Sequence, residues 1–311
     1  MKMRNNISQN KRIRGSQRAL YIMTVPGLLY LLINNYTPMA GLFIAFKSIN
    51  YTKGIFGSNW AGLNNFKFLF RTGDAWLITK NTLFYNGCFI LLSIVVGVTL
   101  SICLNEIVSK RLKMFYQSVI LMPQIISMVV VSYLVYAFLA SDTGFINKTI
   151  LRPLGIEPVN WYYEKGPWRF ILIFVHTWKV MGYDTLLYLA SIVGIDGNLY
   201  EAAEIDGASA WKRIRYITIP LLKPTMITLS LLHIGRIFYS DFGLFYQVPM
   251  NVGALFPVTQ TIDTYVYRGL TSMNNIGMAA AASFYQSIVG FVLVLTANTI
   301  VRKIDPDNAL M

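Results

Sequence analysis

Six stretches of this chain, near residues 20–46, 79–106, 114–140, 168–195, 221–244 and 276–301, are predominantly apolar. Each reaches the length of about 20 residues that a helix needs to cross roughly 30 Å of bilayer hydrocarbon. A water-soluble fold could not hide so much apolar surface. Of 311 residues, 55% are hydrophobic and 13% charged, against about 25% charged in a typical soluble domain. The expected fold class is all-α, a polytopic membrane protein with six transmembrane helices. Its one domain covers 19–303, between a basic tail at 1–18 and a short C-terminal tail at 304–311.

The formal net charge of +13 would point to nucleic acid in a soluble protein, but here the charges follow the spans. Lys2, Arg4, Lys11, Arg12, Arg14 and Arg18 precede span one without an acid between them. Lys110, Arg111 and Lys113 lie between spans two and three, Lys212, Arg213, Arg215 and Lys223 around the connection of spans four and five, and Arg302 and Lys303 after span six. Positive charge on the short connections marks the cytoplasmic side. Both termini are expected there, and nucleic acid is not expected as a partner. The first apolar stretch is too long for a signal peptide and contains Pro26 and Pro38, so it reads as a retained span. Cys88 and Cys103 both fall in span two and suggest neither a disulfide nor a metal site.

Between spans one and two, Phe66, Leu69 and Phe70 have the spacing of a short amphipathic helix resting at the interface, with Trp60 as an aromatic anchor. Gly87 and Gly97 in span two permit close helix approach. Pro123 predicts a kink in span three, and the Pro- and Trp-containing segment 141–167 reads as an ordered loop. Polar residues concentrate in the second half of the chain. His176, Trp178, Lys179, Tyr183 and Asp184 fall in span four, His233, Arg236, Tyr239, Ser240 and Asp241 in span five, and Tyr285, Gln286 and Asn298 in span six. Ionisable groups at membrane depth cost at least ~2.5 kcal/mol and normally face a bundle interior or a water-filled path. A polar pathway is therefore expected there.

No Gly-Lys-Ser or Gly-Lys-Thr phosphate loop and no His-Glu-x-x-His occurs, and the chain has two histidines in all. No catalytic residue, metal site or cofactor is expected in this chain. The longest charged, amphipathic interruption is the connection of spans four and five. There Asn198 with Glu201 has the form of a capping box, Gly207 can end a helix in the left-handed conformation, Ser209 can cap a second helix, and Pro220 can open span five. The result is a helical hairpin at 198–220 with a side thinned by Ala202 and Ala203, a second helix whose basic face includes Lys212, Arg213 and Arg215, and Asp206 among the residues expected to couple it to a partner. It is a docking element for another protein.

Glu201-Ala202-Ala203, three residues, Gly207, nine residues, then Ile217-x-Ile219-Pro220 resembles the EAA signature of the permease subunits of bacterial ATP-binding-cassette importers, with Ile219 where leucine is usual. Trp178-Lys179, Gly182-Tyr183, Leu187 to Ala190, Asp263 to Arg268 and Asn298 are similar to the maltose-type, carbohydrate-uptake branch. The resemblance implies a type I importer of sugars, oligosaccharides and acidic ones included, in a bacterial inner membrane. It implies a heterodimer with a second permease, two cytoplasmic ATPase subunits that bind ATP and Mg, and an extracytoplasmic solute-binding protein. The helix bearing Glu201 would be the coupling helix, seated in an ATPase subunit.

Lys179 and Arg236 are expected at similar depth. His176, Lys179 and Tyr183 share one helix face by spacing, as do His233, Arg236 and Ser240. Two cations in a cavity could receive an anionic sugar such as a uronate, with Tyr183, Tyr239 and Trp178 stacking on sugar faces; alternatively Asp184, Asp241 or an acid on the partner permease neutralises them. The rival functions are an ion-coupled secondary carrier and a membrane scaffold that uses the same hairpin.

Overall fold

The computed structural model describes residues 20–304; the basic tail 1–18, and the C-terminal tail beyond its first residue, lie outside the described residues. Among the described residues five helices are long and apolar enough to cross a membrane, and a bent pair makes a sixth if taken as one span. Helix α1 is Leu20–Phe46. It widens to a π turn at Leu32–Tyr36 and tightens to 3-10 geometry over Ala40–Phe46. Pro38 sits between the two, where its missing N–H interrupts regular helical pairing.

A two-stranded antiparallel ribbon, β1 Lys47–Ser48 with β2 Asn59–Trp60, follows. The expected amphipathic helix is α2, Asn64–Arg71. It buries Leu69 completely and sets Phe66 against the rings of Phe46 and Phe284. Span two is α3, Asp74–Asn105. Gly97 brings the Tyr188 ring to 3.0 Å from where a Cβ would stand, whereas nothing else among the described residues lies within 4 Å of a Cβ at Gly87.

Span three is broken more sharply than a proline kink requires. Helix α4, Lys110–Ile125, and helix α5, Met128–Leu139, meet at 95°. Ile126 and Ser127 are extended between them, and Ser127 Oγ accepts from Val130 N to start α5. Pro123 begins the interruption by withholding one backbone donor, and the chain then leaves the helix altogether.

Span four is α6, Lys165–Val193. It leads into α7, Gly197–Ile205, and then into α8, Ala210–Ile234. Span five differs from its expected 221–244 at both ends. Pro220 does not open it: α8 begins at Ala210 and passes through a π turn at Ile214–Thr218, which accommodates the proline in a continuous helix. The helix ends at Ile234, so 235–241 is a non-helical run of turns and irregular backbone before Phe242 and a π turn at Gly243–Gln247. Ser240 is fixed there because both its N–H and its Oγ donate to Asp263, at 2.6 and 2.7 Å. Helix α9, Ile262–Thr271, lies beneath this segment, and α10, Ile276–Ile304, is span six.

Three buried clusters hold these elements, one of them Val98, Tyr188, Ile192 and Leu222. A second gathers Tyr85, Trp168, Leu172 and Phe245; the third gathers Leu69, Ile78, Phe238, Ile262 and Met278. Outside them the spans present Leu, Ile, Val and Phe outward, as on Leu91, Val95, Phe170 and Phe291, the surface expected against lipid tails.

Candidate functional site

Two features could carry function: the α7–α8 hairpin and a cavity among α3, α6 and the segment after α8. In the hairpin, the N-cap of α7 is Asp196 and not Asn198. Its side chain accepts from Asn198 N at 3.0 Å, and no Asn198–Glu201 capping box forms. Asp caps as well as Asn does, and its charge also complements the positive helix N-terminus. Glu201 and Ala202 are exposed and Ala203 is half-buried.

Asp206 is the C-cap and Gly207 adopts φ +74°. Ala208 N donates to Ala203 O at 2.8 Å and Gly207 N to Glu204 O at 3.0 Å, the paired bonds of a Schellman motif. Ser209 Oγ then caps α8 by accepting from Lys212 N, and Ile217 and Pro220 lie further along that helix. Tyr200 O–H meets Thr218 Oγ1 at 2.9 Å, and Arg213 binds Glu204 at 2.9 Å.

The Glu204 side chain is 72% exposed, so this ion pair is solvated. Glu204→Ala is expected to cost at most about 1 kcal/mol, read as a small shift in the melting curve of the purified protein. Ile205, by contrast, is 87% exposed at the turn and Trp211 66%. The hairpin therefore folds on polar contacts and leaves an apolar tip open.

The cavity encloses about 400 Å³. Of the residues expected on a pathway, His176, Asp184, Arg236, Tyr239 and Asp241 line it; Trp178, Lys179, Tyr183, Tyr285 and Gln286 do not. On α6 the cavity face is His176, Val180 and Asp184, not His176, Lys179 and Tyr183. Trp178 packs against the core, and Tyr183 is exposed elsewhere. Tyr285 bonds Thr79 at 2.8 Å, and Gln286 donates to Phe238 O and Asp263.

Among the described residues Lys179 neither joins Arg236 nor pairs with a carboxylate. Its Nζ donates to the carbonyl oxygens of Pro123 at 3.2 Å, Gln124 at 3.3 Å and Ile126, at the break of span three. Nor do His233, Arg236 and Ser240 share a helix face, since α8 stops at Ile234.

Asp184 is 3% exposed. It accepts from Ser93 Oγ at 2.6 Å and lies 3.7 Å from His233 Nε2, which ties α3, α6 and α8 together at one point. The His176 ring stacks on Phe89 at 3.6 Å. Asp241 Oδ1 accepts from Leu244 N at 3.1 Å. Arg236 is exposed to the cavity. Sequence reasoning passed over Asn86, Phe89 and Ser93, which also line it. Asn86 donates to Tyr239 O at 2.8 Å, and polar residues inside an otherwise apolar span two were the available signal.

The chain and its fold are similar to known proteins. The family model described as "Binding-protein-dependent transport system inner membrane component" matches residues 90–307. The polygalacturonan/rhamnogalacturonan transport system permease YteP of Bacillus subtilis is 33% identical, over 92% of this chain and 88% of the relative. A permease chain in the crystal structure of a bacterial ABC transporter that imports the acidic polysaccharide alginate superposes with TM-score 0.85 at 31% identity, covering 94% of this chain and 98% of that one. A second structure of a bacterial alginate ABC transporter, in complex with a periplasmic protein carrying an alginate pentasaccharide, gives TM-score 0.83 at 31% identity, over 94% of this chain and 97% of that one. The chain thus belongs to the inner-membrane components of binding-protein-dependent transport systems, the permease subunits of ABC importers.

Proposed function

We propose that this chain is one permease of an oligosaccharide importer that works by alternating access, paired with a different permease, and that sugar passes through the cavity bearing Arg236. Two ATPase subunits on the cytoplasmic side bind ATP and Mg and receive α7, while a solute-binding protein delivers sugar to the other face. The chain itself hydrolyses nothing, and both termini and the hairpin lie in the cytoplasm. The observation that carries this reading is the hairpin: it is braced internally by its Schellman turn and by Tyr200–Thr218, yet it exposes Ile205 and Trp211. The naming of YteP and of the alginate transporters supports a polysaccharide-derived cargo. The secondary-carrier and scaffold readings have no comparable support.

The test is purification of the tagged chain from native membranes, followed by sugar uptake in proteoliposomes. Retention of an ATPase and a second permease, with uptake that requires ATP and the binding protein, is the expected result. Uptake by this chain alone, driven by a proton gradient, would sink the proposal.

The charge of the cargo is tested separately. With Lys179 drawn away, Arg236 is the cation that the cavity offers beside Asp184 and Asp241. If the cargo is acidic, Arg236→Gln is expected to lower uptake of a uronate oligosaccharide at least fivefold more than uptake of a neutral one. Equal losses would assign charge selection to another subunit.

A further inference from the structure

We propose that Lys179 is a positioning residue of the transport cycle: it pins the break in span three so that α4 moves with α6 and the hairpin, while α5 stays with the cavity wall. At the break the Pro123 carbonyl keeps one backbone donor, Ile126 N at 3.3 Å, but the Gln124 and Ile126 carbonyls lose the helical donors four residues on, and at membrane depth such groups require a partner. Lys179 Nζ supplies it, donating to Pro123, Gln124 and Ile126 oxygens. A cation at a helix C-terminus is also favoured by the helix dipole. One turn further along α6, Gly182 lies directly on the α4 backbone, for a Cβ there would lie 2.7 Å from the Ile120 carbonyl carbon and 3.0 Å from Leu121 Cα.

The two contacts fasten α4 to α6, and α6 leads through residues 194–196 into α7. Helix α5 shares a buried cluster with Trp168, Leu172 and Val175 of α6 through Val131 and Leu139, and it also has a neighbour that α4 lacks. A Cβ on Gly243 would stand 3.0 Å from Met128 Cβ, so α5 abuts the segment that follows Tyr239, Ser240 and Asp241 in the cavity wall. Ile126 and Ser127, extended between the halves, form the joint, and Lys179 sets its angle from the α6 side. A lysine that bound sugar would be directed into the cavity; this one is directed into the joint.

The inference rests on the importer reading for its role in transport, but the angle of the joint can be read in this chain alone. In a Cys88→Ser, Cys103→Ser background, spin labels at Ser118→Cys on α4 and Tyr133→Cys on α5, both exposed positions, report the distance across the break by pulsed electron resonance. Lys179→Met is expected to broaden that distribution at least twofold, and Lys179→Arg, which keeps a donating cation, to restore it. In the purified complex with its ATPase subunits, Lys179→Met is expected to leave basal ATP hydrolysis within twofold and to lower stimulation by the binding protein at least fivefold. Should Lys179→Met fail to accumulate, Lys179→Gln, which can still donate but carries no charge, is read in its place. An unchanged distance distribution in the neutral variants overturns the proposal. So does a neutral variant whose loss differs between charged and neutral sugars, since that is the signature of a substrate contact. Failure of the tagged wild-type chain to retain an ATPase would instead sink the importer reading and leave the joint measurement standing.

Discussion

Gly182→Ala is expected to abolish accumulation of folded protein. Helices α4 and α6 meet backbone to backbone at this residue: an added Cβ would overlap the Ile120 carbonyl oxygen and stand 2.7 Å from its carbon. Overpacking of side chains costs about 1–3 kcal/mol, because rotamers and neighbours can adjust. Here the obstacle is main chain, held on the same side by Lys179 on Pro123 and Gln124, so the helices must separate. That would withdraw Lys179 from the carbonyls and leave polar groups in the membrane interior without partners, at a further ~1–3 kcal/mol each. A total of this size is comparable with the ~5–15 kcal/mol stability of a whole domain. The measurement is the monodisperse fraction in detergent and the melting temperature of whatever remains. Gly166→Ala serves as the control, since nothing lies within 4 Å of a Cβ at that helical glycine. Wild-type yield and melting from Gly182→Ala would mean that α4 and α6 are not in close contact.

The contrast between Gly182 and Lys179 shows where the sequence was legible. The apolar windows located every span, because hydrocarbon thickness imposes a length that composition cannot disguise. The polar interruption at 198–220 stood out for the same reason, and Gly207 was readable because an αL turn has few candidate residues. The cap was misplaced by two positions because Asp196 and Asn198 are chemically alike. What was hidden depends on which helix faces which. Lys179 looked like a pathway residue because a lysine at membrane depth usually faces water, yet the break at Ile126 created acceptors that one-dimensional text does not display. The end of α8 was hidden because hydropathy continues through Ile237 and Phe238 after the helix has stopped at Ile234. Asn86 and Ser93 were missed because neither is charged, although Ser93 anchors Asp184 at 2.6 Å.

Ile205→Asp is expected to reduce ATPase association more than 100-fold and uptake to below a tenth of wild type, while leaving this chain folded. Ile205 is 87% exposed, and the hairpin closes through backbone bonds at Gly207 and the Tyr200–Thr218 pair, so the substitution removes nothing that holds α7 in place. If the tip seats in a cleft of an ATPase subunit, the change forfeits the ~1.5–3 kcal/mol from burying an isoleucine. It also forces a carboxylate out of water, at a cost that desolvation data place at several kcal/mol. Losses of that sum exceed ~2.7 kcal/mol, the equivalent of 100-fold in an equilibrium constant. Gly207→Val approaches the same end from the backbone, because a β-branched residue at φ +74° is strained by ~1–2 kcal/mol and the turn that aims the tip would reopen. The measurement is ATPase retained per permease after purification, with ATP-dependent uptake alongside. The solvated Glu204–Arg213 pair gives the scale: Glu204→Ala, at the same tip but without a buried apolar contact to lose, is expected to keep most of the association. Equal behaviour of Ile205→Asp and Glu204→Ala would mean that α7 meets its partner through charge, and the apolar tip would need another explanation.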